Sequence, residues 1–162
     1  MLAIRWLAKD RKYGNKCRAA LIELKYGDNA LSNEAGMIEH LKDMETFISN
    51  NQNKTKLFQL IENRFNQLDQ LGLLAFNKGK SNAKIKIEPN SKPELIFILA
   101  NHNPRSTKLL NILNKISKLR NSEMYDLRFY VASFAGYGLH AECMHKLSDF
   151  KKLCTTQLHL KD

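Results

Sequence analysis

Leu95-Ile96-Phe97-Ile98-Leu99-Ala100 is an unbroken apolar run of strand length, and it limits the chain to few architectures. Successive side chains on a strand face opposite ways, so a strand with one wet face alternates apolar with polar residues. A run with no polar residue is expected where both faces are covered, in the middle of a sheet, with parallel neighbours reached through helical crossovers. The rest of the chain must then supply those neighbours and helices.

The periodicity along the chain does so. Met1 to Ala8 and Cys17 to Tyr26 read as two strands around the polar, Gly-containing stretch Lys9–Lys16, a β-hairpin turning near Tyr13 and Gly14. Gly27-Asp28-Asn29 breaks the second strand. From about Leu31 to Ser49, Met37, Ile38, Leu41, Met44 and Ile48 recur at three- and four-residue steps, which predicts an amphipathic helix. A polar break at Asn50–Asn53 precedes a second helix to about Leu71, with Leu57, Leu60, Ile61, Phe65 and Leu68 as its buried stripe and Gly72 as its stop. Ile85 and Ile87 between lysines predict a short, half-exposed strand. Asn103-Pro104 starts a helix carrying Leu109, Leu113 and Ile116, and Tyr125 to Phe134 is β-rich up to the turn Gly136-Tyr137-Gly138. Cys143, Leu147, Phe150 and Cys154 have the spacing of a last helix. The expectation is a single α/β domain over residues 1–162, a mixed sheet flanked on both sides by helices.

Lys plus Arg number 26 against 16 Asp plus Glu, a formal net charge of +10, which favours a polyanionic partner, nucleic acid first among them. The basic clusters Lys9–Lys16, Lys78–Lys86 and Lys115–Arg120 make a phosphate-facing surface only if the fold brings them together. The plain alternative is a solvated basic surface. Trp6, Tyr13, Tyr130 and Tyr137 offer rings for base stacking, although Trp6 and Tyr130 are more simply core or sheet residues. No apolar run approaches the roughly 18 residues of a membrane span, and charged residues interrupt the N-terminus, so no membrane partner and a cytoplasmic location are expected. Cys17, Cys143 and Cys154 form no Cys-x-x-Cys pair and are read as free thiols. His140, Cys143, His145, Cys154 and His159 fit no standard zinc spacing. Gly-rich phosphate loops, nucleophile elbows and dinucleotide fingerprints are missing from the sequence.

The chemistry is concentrated in Ile22-Glu23-Leu24-Lys25. On a strand Glu23 and Lys25 share one face and Ile22 and Leu24 the other, so a carboxylate and an ammonium stand side by side within an apolar run. Such charges are costly unless they pair, bind a metal or reach water at the strand end. The structural alternative is a strand-end ion pair worth at most about 1 kcal/mol.

A hairpin whose second strand ends in Glu-x-Lys, followed by an amphipathic helix and a buried strand, resembles the core of the PD-(D/E)xK nuclease superfamily, the restriction-endonuclease-like fold. The likeness covers residues 1 to 101. It implies a Mg²⁺- or Mn²⁺-dependent nuclease hydrolysing phosphodiesters of DNA, with Glu23 as metal ligand and catalytic residue, the Leu24 backbone carbonyl as a second ligand and Lys25 as the catalytic cation that orients water. The family's partner Asp would fall at or just before Met1, so the resemblance implies an N-terminally incomplete core: the C-terminal portion of a longer protein, or an inactive copy. Asp10 stands some seven residues from the site, or about 23 Å along a strand. Glu34 is a candidate substitute metal ligand, with a helix-dipole role as its alternative. His40 is expected at a helix boundary or on the surface. Arg5, Lys12 and Lys16 are the candidate nucleic-acid contacts, Arg5 either meeting phosphate or pairing with Glu23 across the hairpin. The alternative function is a non-catalytic module of the same fold that binds nucleic acid or a protein, and an apolar sheet edge left open would favour a homodimer.

Overall fold

The computed structural model describes residues 1–11, 14–34, 36–74, 84–103, 107–132 and 144–159. The chain forms a mixed α/β structure. In order come β1 (Leu2–Arg5), α1 (Ala8–Arg11), β2 (Lys16–Tyr26), a 3-10 turn (Asp28–Leu31), α2 (Met37–Ser49), α3 (Asn51–Gln70), β3 (Lys86–Ile87), β4 (Glu94–Ala100), α4 (Thr107–Leu119), β5 (Asp126–Ala132), β6 (His145–Lys146) and α5 (Leu147–His159). The sheet runs β1-β2-β4-β5-β6, with β3 also on β2. β2, β4 and β5 are parallel, and β1 and β6 close the two sides antiparallel.

The apolar run occupies the central position its composition demands. Leu95, Phe97 and Leu99 enter the main core and Ile96 the opposite face, all at most 4% exposed. Helices on both faces do not follow, however. The buried stripes of α2, α4 and α5 join Leu95, Phe97, Leu99, Leu127 and Phe129, and that of α3 joins Cys17 and Ala19, so these four helices lie on the odd-numbered face of the strands. The reason is topological. Parallel crossovers share a right hand, and β2 to β4 to β5 steps across the sheet in one direction, so both crossovers fall on one side.

The hairpin is also corrected. Ala8 to Arg11 is a helical turn, with the Asp10 and Arg11 amides donating to the Leu7 carbonyl, so the chain leaves β1 after Arg5. Ala8, Lys9 and Arg11 are good helix formers, which no strand pairing overrides here. Register moves with it: Ala3 faces Ala20 and Arg5 faces Arg18, three positions from a tight-turn hairpin in which Glu23 would oppose Ala3.

The first helix begins later than periodicity suggests, at Met37, after the 3-10 turn. Asn50 caps α3, its side-chain oxygen accepting from the Gln52 and Asn53 amides at 2.9 and 3.1 Å. Gly72 ends it at φ 67°, a left-handed position that favours glycine. β3 and the α4 stripe fall where expected, but α4 starts at Thr107, beyond Asn103. Leu147, Phe150 and Cys154 are buried on α5, while Gly136–Gly138, Cys143, Tyr13 and Tyr137 lie outside the described residues. Trp6 and Tyr130 are buried. Cys17 and Cys154 are free and buried, and burial, assisted by Glu62, pushes the Cys17 thiol up to about 12. Among the described residues no helix is long and apolar enough to cross a membrane.

Candidate functional site

The pleat of β2 sends Glu23 and Lys25 to the odd-numbered face, the same side as Cys17 and Ala19. Their register partners on β4 are Phe97 and Leu99, both core residues, so the two charges enter the apolar layer near the carboxyl end of β2. Lys25 keeps only 4% of its side-chain surface and Glu23 keeps 24%. The cost of that burial is offset by pairing. Glu23 Oε1 accepts from Lys25 Nζ at 3.0 Å and lies 2.7 Å from His40 Nδ1. The ammonium and the imidazole nitrogen are 3.3 Å apart, so one carboxylate oxygen serves both.

His40 is the residue that sequence reading set aside, and here it belongs to the centre. It lies three positions after Met37, which is fully buried, and at 100° per residue the two are about 60° apart around α2. That proximity was the available signal. What it could not supply was the register of α2 against β2.

The Leu24 side chain lies on the opposite face and is 52% exposed. Ile22 exchanges both backbone bonds with Met1, its amide donating at 2.9 Å and its carbonyl accepting from the terminal ammonium at 2.7 Å. By the two-residue alternation of a ladder, the Leu24 carbonyl points to that same edge, away from β4. Glu34 is exposed in the turn before α2, lining a groove with Asn33, Glu39, Asp43 and Lys115, and it is not one of the groups that close on Glu23. Asp10, on α1, belongs to the other end of β2. Among the described residues no group of three His, Cys, Asp or Glu gathers as metal ligands would. One carboxylate already held by an ammonium does not fit an ion that needs several oxygen ligands from protein and substrate.

The expected nucleic-acid contacts are not at this site. Arg5 does not pair with Glu23: the observed register puts it on the other sheet face, where it pairs with Glu94. Glu94 has no exposed side-chain surface and is flanked also by Arg18 at 3.5 Å and Arg128 at 3.6 Å. Arg18 further pairs with Asp126 at 2.8 Å. Burial raises the Asp126 carboxyl, but the Arg18 guanidinium outweighs it and holds the group below its ordinary range. Lys16 opens β2, pairs with Glu88 at 2.8 Å, and lies about 23 Å along the strand from Glu23. Lys12 lies outside the described residues. The Lys115–Arg120 cluster meets Lys151 and Lys152 across a groove between α4 and α5, apart from Glu23.

Comparison with protein-family models, with curated proteins and with solved structures finds no match to this chain. The functional argument therefore rests on its own residues.

Proposed function

We propose that the chain is a phosphodiester-cleaving module acting on DNA, of the restriction-endonuclease-like kind, with Glu23, Lys25 and His40 as its chemical centre. The observation that carries the reading is one Glu23 oxygen shared by a buried ammonium and an imidazole at the carboxyl end of an interior strand. Ligands of open α/β sheets enter at that end. A carboxylate holding Nδ1–H leaves Nε2 to take a proton from water, and the water oxygen then attacks phosphorus as the P–O ester bond breaks. Lys25 supplies a fixed positive charge toward the phosphoryl oxygens. The net charge of +10 favours the polyanion.

A second reading, a non-catalytic module that binds nucleic acid or a protein partner, is favoured by the single carboxylate at the centre. A homodimer accompanies either reading. β2 from Glu23 to Tyr26 is paired with β4 on one edge and with no described strand on the other, and a second copy offers a matching edge.

Plasmid and single-stranded DNA, incubated with Mg²⁺, Mn²⁺ or EDTA, separate the two functions. Cleavage that falls at least about 100-fold in Glu23→Ala and in His40→Ala supports the nuclease. Salt-sensitive DNA binding with no cleavage under any condition supports the non-catalytic module. Neither binding nor cleavage overturns both.

A further inference from the structure

The even-numbered face of the sheet holds a second polar centre that the proposed chemistry does not use. Glu94 lies there at the amino end of the central strand with no exposed side-chain surface. Its Oε1 takes the arginine contacts, but its Oε2 is buried and has no hydrogen-bond partner. A buried carboxylate oxygen without a partner is costly, and in a settled fold it marks a place where a donor is expected.

That side chain lines a cavity of about 220 Å³. Ala20, Ile22 and Ile96 form apolar walls, and Arg5 is the other charged group lining it. The volume lies below the roughly 300 Å³ at which drug-sized pockets begin, so the occupant is a single small ring system. Its polar edge is constrained as well: Arg5 carries N–H donors, and Glu94 Oε2 requires one. A planar ring with an N–H beside a carbonyl or ring nitrogen meets both, and its faces suit aliphatic walls. Every nucleobase has such an edge. The geometry points to a nucleobase-binding cavity on the face of the sheet opposite Glu23 and Lys25, with Glu94 accepting the base N–H and Arg5 donating to the adjacent acceptor.

Trp6 lines the same cavity and is the chain's one tryptophan, so its fluorescence reports occupancy. Titration with uracil is expected to give a saturable change with half-saturation below about 1 mM. 1,3-Dimethyluracil, which keeps ring and carbonyls but has no N–H, is expected to give none. Uridine and a short oligouridylate run alongside: a response to uracil alone identifies a free base, and a response to all three a base presented on a strand, either of which supports the inference. Glu94→Gln should weaken uracil at least tenfold. Because that change disturbs an arginine cluster, Ala3→Leu provides an independent check: it fills the cavity from β1 without touching a charge and should abolish the response in a chain that still unfolds cooperatively. Equal responses to uracil and its dimethyl form, no response to either, or an undiminished response in Ala3→Leu would overturn the inference and leave a cavity holding water.

Discussion

Lys25 has almost no contact with solvent, and its charge is tolerable there only because Glu23 lies on the same strand face two residues away. Removing one member of such a pair costs more than removing both. Glu23→Ala is expected to destabilise the fold by about 2–4 kcal/mol, somewhat less than for a fully enclosed pair because Glu23 retains exposure and Lys25 retains His40 nearby. Lys25→Met, which keeps the length and removes the charge, should cost less than Glu23→Ala, and the double variant should recover most of the loss. Urea unfolding midpoints test this, and a Glu23→Ala cost below that of Lys25→Met would refute it. The pair was legible in the sequence because strand alternation is a local rule. His40 and Glu94 were not: each is defined by a partner at least 17 positions away in sequence, Glu23 for one and Arg5 for the other.

Among the elements, α3 shows how far periodicity carries and where it stops. Its stripe was expected at Leu57, Leu60, Ile61, Phe65 and Leu68, yet the buried residues are Leu57, Phe58 and Ile61, while Leu60 and Leu68 are each 41% exposed. A helix of 20 residues packing on a small cluster with Trp6, Cys17, Ala19, Ile85 and Ile87 buries only the turns that meet it. Ile61→Ala is expected to cost about 2–4 kcal/mol through the lost burial and the cavity left behind. Leu60→Ala should cost under about 1 kcal/mol. Thermal or urea melts of the two variants compare them directly, and equal losses would contradict this packing. The first connection teaches a similar lesson. Gly14 and its polar neighbours signalled a turn, but four residues of good helix propensity took the chain off the strand earlier and changed the hairpin register.

At the scale of the whole molecule, positive charge and the Glu23 centre separate. Arg5, Lys16 and Arg18 sit toward the amino end of β2, each engaged with a carboxylate of the fold, whereas Glu23 and Lys25 lie toward its carboxyl end. The proposed homodimer concerns that carboxyl end, where the β2 edge past Ile22 has no described partner. Light scattering at rising concentration is expected to show twice the chain mass, and Leu24→Pro, which removes the amide directed to that edge, should shift the population toward monomer. A clean monomer at high concentration would refute the dimer. The sequence by itself determined which segments are strands and helices, that the run Leu95–Ala100 is central, and that Glu23 and Lys25 share a face, because each follows from side-chain periodicity and burial within a few residues. Tertiary structure decided which face the helices cover, what Arg5 and Glu94 bind, and that His40 joins Glu23. Those depend on the direction in which crossovers step and on the register between elements, which no local pattern specifies.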